Sequence, residues 1–299
     1  MYFNMIELST ANISLFILTL ITLIIASYTD IKRREVPDMI SYGFIFLALL
    51  LRATFAIDYG WQFLVSGLVG FIICLVIASV LFFSGQWGGA DSKLLLGMGV
   101  VLGTDFIFGT SSNINLAWGL ALFFLLLLLV SAIYGLVWML VLAFIKRKNF
   151  IISFKSKIKQ NKVEHFVALG FTILFLILTF WQVFFLVLAI IPLLGYYLFI
   201  FVASVEETCF IQARKIPFLV EGDWLAEDVY VMKENLGRKE LVVEKKVIDR
   251  KDLNHLRQLY SEGQLTEIKI KEGLPLVPGF LFAYLVLMFF WEWLSSVLF

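Results

Sequence analysis

The sequence predicts an all-α polytopic membrane protein of six to eight transmembrane helices, with eight as the working count, carrying a small α+β cytoplasmic insert. Three observations predict it. First, 61% of the 299 residues are hydrophobic, 31 of them Phe, and only 16% are charged; the mean hydropathy of +0.93 exceeds what a water-exposed surface tolerates. Second, apolar runs near the length of a bilayer crossing recur along the chain. Third, between Glu206 and Gly273 the composition turns abruptly to a charged, mixed segment. With 24 Lys+Arg against 23 Asp+Glu the net charge is +1, so the broad basic field that nucleic-acid binding needs is lacking. Two cysteines, Cys74 and Cys209, provide neither a disulfide framework nor a cysteine-held zinc site.

A helix needs roughly 20 apolar residues to cross a ~30 Å hydrocarbon core. Eight runs qualify: 13–29, 39–57, 61–84, 93–108, 116–145, 165–180, 182–203 and 276–299. The fourth is short and contains Gly97, Gly99 and Gly103. As one helix the fifth would be ~45 Å long, so it must tilt or project. The sixth and seventh, separated only at Trp181 and Gln182, form a tight hairpin if both cross. Residues 1–12 hold Glu7 and no Lys or Arg, so the first run lacks the basic region of a cleavable signal peptide and is expected to remain as a span. Lys32, Arg33 and Arg34 follow it, and seven basic residues lie in a loop from Lys146 to Lys162. The short loops near Asp58 and at 111–115 have none. The positive-inside rule then puts the N-terminus outside and the loops after spans 1, 3, 5 and 7 in the cytoplasm, with Arg52 against the pattern. Trp61, Trp181, Trp291 and Trp293 fit an aromatic belt. In the insert, 228–232, 241–248 and 266–270 read as strands, and Leu253, Leu256, Leu259 and Tyr260 have helical spacing. Pro275 and Pro278 break the chain before the last span. The organisation is therefore 1–145, the first five transmembrane helices; 146–203, basic loop and hairpin; 204–275, soluble domain; and 276–299, final helix.

Ionisable groups are costly in a membrane, and two carboxylates mark span ends. Asp30 closes the first span and Asp91 opens the fourth, at matched depth on the cytoplasmic side. Each has a structural explanation. Asp91 fits an N-cap, and Asp30 fits an ion pair with Lys32, Arg33 or Arg34. The combination points beyond them, because Gly88 and Gly89 precede Asp91 and would let another backbone come close.

Asp30-x-x-x-Arg34-x-Val36-Pro37-Asp38, together with Gly88-Gly89-Ala90-Asp91-Ser92-Lys93, resembles the two catalytic segments of the type IV prepilin peptidases, especially the archaeal prepilin and preflagellin branch. That resemblance implies a GxGD-type membrane aspartic protease with Asp30 and Asp91 as catalytic residues and Gly88, Gly89, Lys93 and Pro37 as motif support. It also implies prepilin or preflagellin substrates with short basic leaders, cut at the cytoplasmic face of an archaeal plasma membrane. The chain departs from the pattern at Ala90, where the motif has Gly, and at Asp38, where Asn is frequent. Ala90 would violate any left-handed backbone requirement there. No cysteine tetrad accompanies the motifs, which implies a peptidase without N-methylation.

Two adjacent carboxylates share a proton. On helix dipoles alone, Asp91 at a helix N-terminus is expected to be ionised and Asp30 at a C-terminus to hold the proton. Glu221, Asp223, Glu227, Asp228 and Glu234 make the start of the insert acidic, which suits a basic leader. His165 and His255 are the only histidines, and neither a metal nor a cofactor is indicated. The expected partners are the leader-bearing substrates and the lipid bilayer, with no nucleic acid. Two competing readings are a presenilin-like intramembrane protease, whose Pro-Ala-Leu element Leu274-Pro275-Leu276 does not match, and a proton- or cation-coupled transporter using Asp30 and Asp91.

Overall fold

The computed structural model describes residues 10–104, 118–233 and 238–298. Glu7, the 111–115 loop, the far end of the fourth run to Phe108 and Glu234 lie outside the described residues. In chain order the elements are α1 (Thr10–Arg33), α2 (Asp38–Tyr59), α3 (Trp61–Phe83), α4 (Gly89–Leu102), α5 (Trp118–Ile145), α6 (Arg147–Gln160), α7 (Lys162–Leu178) and α8 (Phe184–Val205). A π-helical turn (Glu206–Phe210) leads into β1 (Ile211–Lys215) and a 3-10 turn (Ile216–Phe218). There follow β2 (Trp224–Leu225), β3 (Val229–Lys233), β4 (Arg238–Val243), α9 (Arg250–Ser261), β5 (Glu267–Lys271) and α10 (Val277–Leu298). The chain divides into two compact units, Met1–Leu136 with Leu274–Phe299, and Val137–Gly273.

In the first unit the helices carry apolar side chains on both faces. Leu23, Ala26, Phe44, Ala48, Leu94, Met98, Phe123, Phe280 and Tyr284 are packed inside, while Ile21, Phe46, Val76 and Phe83 point outward. An apolar exterior suits lipid, and the chain is a polytopic membrane protein. Five helices among the described residues are long and apolar enough to cross: α1, α2, α3, residues 119–145 of α5, and α8 continued to Phe210. α6 and α7 make a sixth only as one span bent by 76°. Eight apolar runs therefore do not become eight full-length helices. α4 has 14 residues and stops at Gly103, whose φ of 60° breaks it, and the apolar described part of α10 covers only 277–290.

Glycines fix the placement of α4. A Cβ on Gly70 of α3 would lie 2.2 Å from the Gly99 carbonyl oxygen, and one on Gly99 2.5 Å from that of Gly70. Gly97 faces the Phe44 ring of α2 just as closely, at 2.2 Å. Backbone-to-backbone approach of this kind is how helices associate where lipid removes the hydrophobic drive. The three glycines that look like helix weaknesses in the sequence thus include two that seat α4. At its far end the free carbonyls need donors. Arg52 supplies one: fully buried, it donates from Nη2 to Val101 O at 3.0 Å and from Nη1 to Phe63 O at 2.5 Å, with its guanidinium 4.5 Å from the Phe63 ring centroid. Arg52 opposes the charge pattern because it is an interior side chain, not a loop charge.

In the second unit the predicted basic loop is instead the helix α6. Phe150 packs on Phe154 and Phe201, while Ser153 Oγ donates to Glu207 at 2.8 Å and Lys157 pairs with the same carboxylate at 3.0 Å. Its inward positions 150, 153, 154, 157 and 158 keep helical spacing, a pattern that a count of lysines hides. α7 and α8 form an antiparallel hairpin with Phe175 stacked on Phe185. The charged segment folds as an antiparallel sheet of order β1-β5-β2 beside the β3-β4 hairpin. α9 covers Ile216, Leu225, Ile268 and Ile270 with Leu253 and Leu256. β1 and β2 lack alternation, which is why the sequence does not announce them.

Candidate active site

α1 ends in a left-handed cap. Arg34 has φ of 58°, and its N–H donates to the Asp30 carbonyl at 2.8 Å, closing the last turn as a glycine ordinarily would. The cap turns the chain into the extended Glu35-Val36-Pro37. Val36 is buried and Pro37 precedes the first turn of α2. It also returns the Arg34 guanidinium to act electrostatically on Asp30. Of the three basic residues proposed as its partner, the structure selects the one at i+4.

The Asp30 side chain is buried, and its Oδ2 accepts the Val277 N–H at 3.0 Å. The neighbouring Leu276 amide acts on it electrostatically. Asp30 thus faces the N-terminal end of α10 as well as lying in the last turns of α1. The expectation that a helix C-terminus alone sets its charge state is corrected: amides at the start of another helix act on the carboxylate.

α4 begins after the turn at Ser84 to Gly88. Gly88 is the extended residue before the helix, and Asp91 is its third residue rather than the N-cap. Asp91 Oδ2 reaches back to the Gly88 N–H at 3.4 Å, and Ser92 Oγ donates to the Gly88 carbonyl at 3.0 Å. A Cβ on Gly88 would meet Asp91 Oδ2 at 3.3 Å, and one on Gly89 only the Phe82 ring at 3.8 Å. Among the described residues, no second backbone lies within 4 Å of a Cβ built on either glycine; the close approach expected of them occurs at Gly70 and Gly99 instead. Ala90 is helical, so no left-handed requirement exists at that position.

α1 and α4 touch, and the Asp30 charge acts on the Asp91 carboxyl. Tyr134 of α5 lies in the same field, influenced by both Asp30 and Arg34. Sequence reasoning missed Tyr134, since a Tyr within an apolar run gives no signal. Lys93 pairs with Asp38 at 2.5 Å and sits over the Tyr42 ring, tying the start of α4 to that of α2. Pro37 and Asp38 therefore enter the site region through Lys93. The arrangement places two carboxyl groups in one electrostatic field beside a cation, the residue types that general acid-base chemistry at a carbonyl uses.

The acidic residues of the insert are mostly occupied. Asp223 accepts the Val220 N–H at 3.0 Å and pairs with Arg214 at 3.4 Å, Glu227 pairs with Lys269 at 3.2 Å, and Asp228 accepts the Lys245 N–H at 2.6 Å. Glu221 is exposed at a turn. His165 packs among Phe166, Tyr196 and Tyr197.

Residues 17–140 match the model of the type IV leader peptidase family. A preflagellin peptidase of Methanococcus voltae is 40% identical over 84 residues, 28% of this chain and 36% of that protein. Those of Methanocaldococcus jannaschii and Methanococcus maripaludis are 32% identical over 88 residues and 37% over 93, covering 37% and 38% of their lengths. The matched stretch thus spans little more than a third of these curated relatives. No solved structure matches the chain. Residues 17–140, which hold both aspartates, are thus similar to the type IV leader peptidase family.

Proposed function

We propose that the protein is a membrane aspartic endopeptidase that removes short basic leaders from preflagellin or prepilin-like substrates at the cytoplasmic face, without N-methylation. The observation that carries this reading is the electrostatic pairing of Asp30 and Asp91 at the ends of α1 and α4. One ionised carboxylate takes a proton from water as its oxygen attacks the scissile carbonyl carbon. The other, protonated, donates to the carbonyl oxygen, giving a tetrahedral diol. Its collapse breaks the C–N bond: the proton taken from water goes to the leaving nitrogen, and a diol hydroxyl returns its proton to the carboxylate that had donated, giving the carboxylic acid product and the starting dyad. The family match and the preflagellin peptidase names of its relatives support the substrate class.

Lys32, Arg33 and the basic α6 support an orientation with the N-terminus outside and the two aspartates at the cytoplasmic side. Of the acidic residues offered for leader binding, Glu221 is the one with neither an ion pair nor a hydrogen bond among the described contacts, so it leads that proposal, with Asp223, Glu227 and Asp228 secondary.

The test is cleavage of a panel of preflagellin and prepilin-like leaders by membranes containing wild type, Asp30→Asn or Asp91→Asn at matched protein levels. Loss of at least roughly a hundredfold in both variants is expected. Wild-type cleavage in either variant removes the dyad, and a wild type inactive on leaders that a control enzyme cuts removes the peptidase.

A further inference from the structure

We infer that the turn at the start of α10, Leu276 with the first helical residues 277–280, is a third element of this active site, which positions Asp30 and ties it to the Asp91 segment. The inference deepens the peptidase reading and rests on it for the role of Asp30. This turn lies outside the family-matched residues 17–140 and 247 positions from its partner.

Two sets of contacts converge on it. On one side the Val277 N–H donates to the buried Asp30 carboxylate at 3.0 Å, and the Leu276 amide beside it acts on the same group. On the other, the Phe280 ring meets Trp87, the residue before Gly88, edge-on at 5.6 Å. The turn is itself held firmly. Pro275, Val277 and Phe280 are buried, and Gly279 sits so close to α5 that a Cβ there would lie 2.2 Å from Ser131 Oγ. One rigid turn therefore touches both motif segments, and the spacing of the two aspartates depends on it.

The amides also decide which carboxylate keeps the charge. Burial disfavours charge on Asp30; the Val277 N–H at a helix N-terminus, with the Leu276 amide and Arg34 nearby, opposes this effect and favours an anion there over one on Asp91. Asp91 receives one long hydrogen bond from Gly88. Asp30 is then the member that takes the proton from water, and Asp91 the member that donates one. Helix dipoles read along the sequence gave the opposite assignment. Pro278 lacks an N–H, so the carboxylate depends on the amides at 276 and 277.

Val277→Pro deletes a donor at the first position of a helix, where proline is well tolerated. Val277→Ala keeps the donor and trims the side chain. The first readout is infrared titration of the carboxyl bands of the purified full chain, with Asp30→Asn identifying the Asp30 band. It needs no substrate. The Asp30 midpoint is expected to rise by about one pH unit in Val277→Pro and to stay in place in Val277→Ala. The second readout is the pH dependence of leader cleavage. The acid limb should move upward with kcat reduced about tenfold and KM within about twofold. If Val277→Pro folds poorly, Leu276→Pro removes the other amide N–H from a residue that precedes the helix. An unshifted Asp30 band in a folded proline variant overturns the inference. A shifted band with no leader cleavage by wild type leaves the positioning standing and overturns the peptidase reading instead.

Discussion

Arg52 and Lys93 are both cations on apolar helices, and burial separates their roles. Arg52 is fully buried and bridges the main chains of α3 and α4. Replacement by Met strands the Val101 carbonyl at the end of α4, and a charge-assisted bond of this kind contributes about 1.5–3 kcal/mol. Arg52→Met is therefore expected to lower the thermal midpoint in detergent by several degrees, and Arg52→Lys to recover only part, since an ammonium cannot fork to two carbonyls. Lys93 and Asp38 are respectively 25% and 68% exposed. Exposed pairs contribute under about 1 kcal/mol, so Lys93→Met should leave the midpoint within a degree or two. A large drop would show that the pair holds α4 in place more firmly than its exposure allows.

At the level of elements, the contact between α3 and α4 depends on hydrogen atoms where other residues carry methyl groups. Gly70→Ala drives a Cβ into the Gly99 carbonyl, whereas a Cβ at Gly43 meets nothing within 4 Å. Gly70→Ala is expected to cost about 1–3 kcal/mol through overpacking. Gly43→Ala should be neutral or stabilising by about 0.5–1 kcal/mol, because alanine is the better helix former. Unfolding of the two variants side by side checks the contrast. In the insert, α9 starts at Asp249, which accepts the N–H groups of Lys251 at 2.7 Å and Asp252 at 2.8 Å. These bonds, the one from Asp252 foremost, hold its carboxyl below the usual range. The sign follows from linkage: a lowered value stabilises the helix above about pH 4 and the contribution is lost as pH falls through it. Amide exchange at Lys251 and Asp252 should accelerate in acid, earlier than at Leu256.

At the scale of the whole molecule, the proposed topology requires that the two ends of α2 lie on opposite sides of the membrane. α2 has 22 residues, about 33 Å of helix, enough for one crossing. Glu35 and Asp58 flank that crossing, and both are exposed. Cys74 and Cys209 are buried, so labelling background is low. With the proposed orientation, a membrane-impermeant thiol reagent applied to intact cells should label Asp58→Cys and should label Glu35→Cys only after permeabilisation. The reverse pattern would place the aspartates outside and exclude cytoplasmic leader cleavage.

Composition and short-range order were enough to identify a polytopic membrane protein, because each crossing helix must be apolar along its own length whatever its neighbours. Asp30 and Asp91 stand out as candidates for a similar reason: charge at a span end is conspicuous against lipid-compatible sequence, and the residues around each resemble a known motif. β3, β5 and α9 were legible from their periodicity, and α6 was hidden because its lysines drew attention to charge rather than spacing. Contacts between distant residues were decided only by the tertiary structure. Gly70 against Gly99 requires knowing which helices pack, and Arg52 reads as a misplaced loop charge until its carbonyl partners are known. The amides of Leu276 and Val277 leave no trace in the sequence, since every residue except proline has an N–H. Only folding brings those two to a carboxylate near the other end of the chain.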